Sequence, residues 1–135
     1  MDIKRSSDHS KKPKVLVTGA SGHLGYNICK QLWDEKNFYI RAGLRTKNDR
    51  VAEVSHEISY FDVRNYQDFY KAAKDVDYII HLAASFDHSS KNEKATIETS
   101  KAGSENLIKI SKKIKFKKII YTSSVAVCGV NKTTE

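Results

Sequence analysis

Val15-Leu16-Val17-Thr18-Gly19-Ala20-Ser21-Gly22-His23-Leu24-Gly25 is the stretch on which the reading of this chain turns. An apolar run ends in three glycines spaced three apart, and Leu24, Ile28 and Leu32 then recur at helical spacing. That order predicts a strand, a tight turn and a helix whose N-terminus faces an open crevice. Unpaired backbone N–H groups and the positive end of the helix dipole point into such a crevice, which suits a pyrophosphate. Gly19 permits the turn, Gly22 lets backbone approach phosphate, and Gly25 lets the helix lie against the strand. A plain structural turn is the alternative, because glycines occur in loops for many reasons.

Working outward, Phe38-Tyr39-Ile40-Arg41-Ala42-Gly43-Leu44-Arg45 reads as a second strand. In a dinucleotide-binding Rossmann unit, the end of that strand lies beside the adenosine ribose, and an acid there bonds the ribose hydroxyls. Here Arg45 holds the position, with Lys47 and Arg50 close behind. A guanidinium can pair with a 2′-phosphate, so NADP(H) is favoured, with NAD(H) as the alternative. A solvated strand end is the bland reading of the same arginine.

Ile58-Ser59-Tyr60-Phe61-Asp62-Val63 gives a third strand, followed by a helix from about Tyr66 to Lys74. Val76 to Ala84 gives a fourth strand and its exit, with small residues that let a flat ligand lie close to backbone. A long helix is expected from about Asn92 to Lys113, and Gly103 within it suggests close contact with a neighbour. The fifth strand, Lys118-Ile119-Ile120-Tyr121-Thr122-Ser123-Ser124, ends in hydroxyls and runs on through Val125 to Gly129. The fold expected is α/β: a Rossmann-type doubly wound sheet of about five parallel strands in the order 3-2-1-4-5. Residues 1–14, polar and lysine-containing, read as a flexible basic arm, and residues 15–135 as the NAD(P)-binding domain.

Composition limits the alternatives. The chain has 135 residues, one domain at most, and its two cysteines, Cys29 and Cys128, offer neither a disulfide framework nor zinc spacing. No metal site is expected, and a reducing cytoplasm is the default location. No apolar run is long enough to span a membrane. The net charge of +8 owes much to Lys109, Lys112, Lys113, Lys115, Lys117 and Lys118. Lysines there complement a helix C-terminus and stay in solvent, which is preferred to a nucleic-acid patch because only Phe116 interleaves with them. A basic nucleic-acid binder is the third reading and is set aside, so neither nucleic acid nor membrane is expected as a partner.

Val17-Thr18-Gly19-Ala20-Ser21-Gly22-His23-Leu24-Gly25 resembles the glycine motif of the extended short-chain dehydrogenase/reductases, the nucleotide-sugar epimerases, dehydratases and related reductases. Ile79 to Ala84 (Ile-Ile-His-Leu-Ala-Ala) and Tyr121-Thr122-Ser123-Ser124 are similar to further family segments in the same order. The resemblance implies that Gly19, Ser21, Gly22, His23, Leu24, Gly25, Arg45, Asp62, Val63, Leu82, Ala83 and Ala84 surround the cofactor. Asp62 and the backbone of Val63 would frame the adenine, Asp62 accepting from the exocyclic amine. By its residue type alone Asp62 equally suits a cap on the following helix, and it could do both. Ser124 matches the catalytic hydroxyl that bonds the substrate oxygen. His81 is expected as a packed or hydrogen-bonded strand residue with no chemistry.

Two positions depart from the family pattern: Ser100 stands where asparagine is usual, and Cys128 where tyrosine is usual. The family's Tyr-x-x-x-Lys acid–base pair lies downstream of the Ser-Ser segment. Tyr26 with Lys30, and Tyr70 with Lys74, match its spacing but belong to other helices and are rejected. The chain is therefore expected to be the N-terminal, cofactor-binding portion of a longer enzyme. That parent would be a reductase, epimerase or dehydratase moving hydride at a hydroxyl- or carbonyl-bearing carbon of a small molecule, with a homodimer compatible with it. Alone, the portion is expected to be inactive and marginally stable or aggregation-prone. The competing reading is a non-catalytic NADP(H)-binding sensor or scaffold.

Overall fold

A computed structural model of the chain describes residues 12–84 and 93–129. The elements run β1 (Lys14–Thr18), α1 (His23–Glu35), β2 (Tyr39–Leu44), α2 (Asp49–Ala52), β3 (Glu57–Tyr60), α3 (Tyr66–Ala73), β4 (Tyr78–His81), α4 (Glu93–Ser111) and β5 (Lys118–Tyr121). The five strands form one parallel sheet in the order β3-β2-β1-β4-β5. The expected fold class and strand order are thus what the chain adopts. The strand-order reversal falls between β1 and β4, where Thr18 is in register with His81.

The apolar run of β1 has the character of a strand buried on both faces. Leu16 faces one core with Phe61, Val63, Phe69, Ile79, Leu107 and Ile110, on the side of α3 and α4. Val15 and Val17 face the other with Ala20, Cys29, Ile40, Ala42 and Val51, on the side of α1 and α2. Period-two alternation along one short strand therefore feeds both layers.

Several expectations shift. Lys14 belongs to β1 rather than to the arm, because its N–H donates to Asp77 Oδ2 at 2.9 Å. Residues 1–11 of that arm lie outside the described residues, as do Asn92 at the expected start of the fourth helix and residues 130–135. Leu24 does not join the buried stripe of α1: it is 49% exposed, whereas Gly25 and Cys29 are buried. Glycine at 25 lets the helix settle so close to the β1 turn that the contact centres there and Leu24 is displaced sideways. β3 stops at Tyr60, and Phe61 and Val63 turn inward beyond it as core residues. After Ser124 the chain enters a 3₁₀ turn, Val125–Cys128, instead of prolonging the strand. The short α2 was not anticipated; Asn48 caps it by accepting from the Val51 N–H at 3.2 Å.

Arg41 is the least expected feature of the sheet. It is only 8% exposed, and its Nη1 donates to the carbonyls of Ala72 (2.7 Å) and Lys74 (2.8 Å) at the end of α3. Its Nε lies 3.1 Å from Glu57 Oε1, out of line for a hydrogen bond but at ion-pair distance. A cation that satisfies last-turn carbonyls fits the negative end of the helix dipole.

Candidate functional site

The carboxyl ends of the strands open onto a crevice of about 1060 Å³. The glycine turn and the start of α1 (Gly19, Ser21, Gly22, His23, Leu24, Gly25) line one wall. Arg45 after β2, Asp62 and Val63 after β3, Leu82 to Ala84 after β4, and Ser124 after β5 complete it. Every residue expected from the sequence to surround the cofactor or bond the substrate oxygen lines this one cavity.

The three glycines meet different constraints. Gly19 has φ +70°, and a Cβ there would come within 2.9 Å of the Ala83 nitrogen. A Cβ on Gly25 would collide with the Gly19 carbonyl oxygen and sit 2.7 Å from the Ala20 Cα. Both glycines are thus required by the protein's own packing. Gly22 is exposed, has φ −72°, and a Cβ there would meet only the Gly19 oxygen, at 3.3 Å. Its bareness leaves backbone open to the crevice. No side chain caps α1 and no acid lies in its first turn, so that end presents uncapped N–H donors and positive dipole.

The exit of β4 is held from β1. Thr18 is fully buried, and its Oγ1 accepts from the N–H groups of Leu82 and Ala83, each at 3.2 Å. Its single hydroxyl proton is then available for His81 Nδ1, 2.9 Å away, which puts the imidazole proton on Nε2. His81 is 3% exposed between the rings of Phe69 and Tyr121. Burial pushes it down from 6.5 to about 4, so it is neutral at physiological pH. It is the packed, hydrogen-bonded strand histidine expected, and it fixes the floor over which Leu82 to Ala84 run.

The end near β2 and β3 carries three charges. Asp62 does not cap α3; Asn65 does, accepting from the Asp68 N–H at 3.2 Å. The Asp62 carboxylate is engaged instead by its near neighbour Arg64. The Arg64 Nη2 donates at 2.7 Å, Nε at 3.0 and 3.1 Å, and the Arg64 main-chain N–H at 2.9 Å. These hydrogen bonds hold the Asp62 carboxyl below the usual range, with a smaller contribution from the charge of Arg45. Asn106 of α4 pins the loop from behind, its Nδ2 donating to the carbonyls of Val63 and Arg64, both at 2.9 Å. Gly103 allows that approach, since a Cβ there would lie 2.9 Å from Val63 Cγ2. The close contact expected of Gly103 is made here.

The opposite end is lined by hydroxyls: Thr96, Thr99 and Ser100 from α4, and Thr122, Ser123 and Ser124 after β5. The β5 exit is tied back by the Thr122 N–H, which donates to the His81 carbonyl at 3.2 Å. Thr96 Oγ1 is buried and, among the described residues, has no hydrogen-bond partner. Tyr121, which also lines the crevice, meets the Ser104 hydroxyl with its own at 2.9 Å. Thr96, Thr99, Asn106 and Arg64 were missed in the sequence, where single polar residues on an amphipathic helix or in a loop carry no distinguishing pattern.

Neither rejected tyrosine–lysine pair lines the crevice. Tyr26 lies under Arg50 (4.4 Å) and Lys30 pairs with Asp34 (3.0 Å). Tyr70 stacks on Tyr66 and sits between Lys74 (5.3 Å) and Lys113 (5.8 Å). The six clustered lysines are all exposed, as expected. One of them, Lys117, pairs with Asp77 at 2.9 Å. Among the described residues, no three His, Cys, Asp or Glu side chains gather to hold a metal, and no helix is long and apolar enough to cross a membrane.

The sequence profile of the 3-beta hydroxysteroid dehydrogenase/isomerase family matches residues 16–135. Sterol demethylase protein B of Methylococcus capsulatus is 27% identical over 119 residues, which cover 87% of this chain and 36% of that protein. A probable UDP-glucuronate 4-epimerase of Rhizobium meliloti is 26% identical over 133 residues, 87% of this chain and 39% of that one. Pen from Bacillus thuringiensis superposes with a TM-score of 0.77 at 28% identity, over 88% of this chain and 39% of that one. The ADP-L-glycero-D-manno-heptose-6-epimerase of Helicobacter pylori shares the fold with a TM-score of 0.76 at 23% identity, over 96% and 44%. The chain spans about two fifths of the length of these curated relatives.

Proposed function

The chain belongs to the 3-beta hydroxysteroid dehydrogenase/isomerase family, among the extended short-chain dehydrogenase/reductases, and from that premise we propose that its crevice binds a nicotinamide dinucleotide. One observation carries the proposal. Gly22, the glycine with the loosest packing contact of the three, is the one that opens the uncapped N-terminus of α1 to the cavity. The cradle fits a pyrophosphate, whose oxygens take N–H donors and favour the positive helix end. Arg45 would pair with a 2′-phosphate, so NADP(H) is the favoured cofactor and NAD(H) the alternative. Asp62 and Val63 would take the adenine, and Leu82 to Ala84 would bed the nicotinamide half.

When bound, the dinucleotide supplies hydride chemistry at a carbon bearing a hydroxyl or carbonyl. In the full protein, Ser124 would donate to or accept from the substrate oxygen and hold the reacting carbon in place. Substrate, acid–base partner and a homodimeric assembly belong to that parent as proposals. Its substrate is a small molecule, and the names of relatives as epimerases put sugar nucleotides among the candidates. The free thiols Cys29 and Cys128 suit a reducing cytoplasm.

Equilibrium titration with NADPH and NADH, followed by nicotinamide fluorescence or calorimetry, tests the site. Gly22→Val should leave the melting temperature within a few degrees and weaken dinucleotide affinity by at least about tenfold, because the added side chain blocks approach to the helix end. Arg45→Glu should remove NADPH affinity and keep NADH affinity. Absence of saturable binding of either dinucleotide by the wild-type chain would overturn the proposal, and equal affinity for both would remove the NADP(H) preference.

A further inference from the structure

We propose that Arg64 is a specificity-determining residue for the 2′-phosphate, acting by neutralising Asp62 at the adenosine end of the crevice. The inference rests on the dinucleotide reading above and deepens it. Asp62 lines the crevice together with Arg45, and its charge interacts with that of Arg45. A bare carboxylate at this end would repel a phosphate dianion and draw on the same guanidinium that is to receive it. Arg64 removes both effects. Its planar fork takes both Asp62 oxygens, at 2.7 to 3.1 Å, and leaves the end of the crevice with a net positive charge supplied by Arg45.

The pair is built rather than incidental. Exposed ion pairs between flexible side chains contribute little, but this one closes a tight loop in which the Arg64 N–H also binds Asp62 Oδ1. Asn106, 7% exposed, holds the carbonyls of Val63 and Arg64, so the backbone that carries the pair is anchored to α4. The charged groups facing Asp62 are therefore Arg64 from its own loop and Arg45 from the end of β2. Asp62 keeps acceptor capacity, since a carboxylate offers about four lone-pair sites, and can still take an amine from the adenine. Arg64 is in this sense a positioning residue: it acts on the ligand through Asp62.

The experiment compares adenosine 2′,5′-bisphosphate with adenosine 5′-monophosphate, and NADPH with NADH, by calorimetry on the 135-residue chain. Arg64→Gln should weaken the 2′-phosphorylated ligands by about fivefold at low salt, as loss of one nearby unit charge does, and leave the others within about twofold. The loss should shrink at high ionic strength. Arg64→Gln combined with Asp62→Asn should recover the lost selectivity, because the repelling charge is gone; a merely structural role for Arg64 predicts no such rescue. Arg64→Lys should retain most of it. Equal weakening of both ligand classes, unchanged selectivity in Arg64→Gln, or failure of the Asp62→Asn rescue would overturn the proposal. Wild type without any 2′-phosphate preference would overturn it together with the NADP(H) reading. A preference undiminished in Arg64→Gln, with wild type selective, would overturn this inference alone.

Discussion

Acidification offers a clean test of the lock beneath the crevice. His81 titrates at 6.5 when unfolded and at about 4 in the folded chain, where burial excludes the cation. The depressed value means that the folded state refuses a proton the unfolded state accepts. Stability is therefore fully present above pH 6.5, falls as pH drops through the window from 6.5 to 4, and levels off below it. The difference between the two values corresponds to about 3 kcal/mol, a large fraction of the stability of a small domain. Two hydrogen-bonded carboxylates titrate below this window. Asp62 and Asp77 are both held below the ordinary value of 3.8 by hydrogen bonds, from Arg64 and Lys117 respectively, so their contributions are lost only at lower pH. Urea unfolding by circular dichroism at pH 7.0, 6.0, 5.0 and 4.5 reads the slope. His81→Asn keeps an acceptor for the Thr18 hydroxyl but does not titrate. It should be less stable at pH 7, having lost a ring packed against Phe69 and Tyr121, and should show a much flatter pH dependence. A wild-type slope as shallow as that of the variant, or a variant as steep as wild type, would refute the assignment of the proton to His81.

Arg41→Met should cost about 2 kcal/mol in urea unfolding, since it strips donors from the Ala72 and Lys74 carbonyls while Glu57 can rehydrate; a neutral result would mean that water caps α3 equally well. Cys128 should react with a maleimide at pH 7.5, whereas Cys29, fully buried and pushed up to about 12, should stay unmodified until denaturant is added. Peptide mass mapping distinguishes the two, and native labelling of Cys29 at a comparable rate would contradict its burial. Among the described residues, β5 is an edge strand with Ile120 51% and Tyr121 49% exposed, which predicts concentration-dependent self-association in size-exclusion chromatography. Ile120→Lys should reduce it, and a wild-type chain monomeric at all concentrations would refute the expectation.

The sheet was legible because its signals are local and redundant. Val15 to Val17 declare a strand buried on both faces, the glycines punctuate it, and the later strands end in turn on basic Arg45, acidic Asp62, the small residues Ala83 and Ala84, and the hydroxyls Thr122 to Ser124, all at the same edge. Parallel order then follows from the connecting helices. The crevice residues were legible for the same reason: they sit at strand ends, and strand ends in such a sheet converge. Leu24 was misplaced because helical periodicity gives the spacing of a buried stripe but not its centre. The depth at which Gly25 lets α1 approach the turn sets that centre, and depth is a tertiary quantity.

Arg64, Asn106 and Arg41 were illegible on different grounds. Each does its work through a carbonyl or a charge pair, and neither leaves a period in the sequence. Asn106 reaches 43 residues back to the Val63 carbonyl, and Arg41 reaches 31 residues forward to Ala72. Asp62 shows why this matters for function. Its residue type allowed a helix cap, and its place in the family pattern an adenine acceptor. Asn65 removes the first role by capping α3 itself, and Arg64 changes the second by taking the carboxylate's charge. An aspartate at this position therefore cannot be read as a negative feature of the site without the residue two places on. The same logic bears on Arg45: its charge acts on Asp62, a carboxylate that Arg64 already holds through both oxygens.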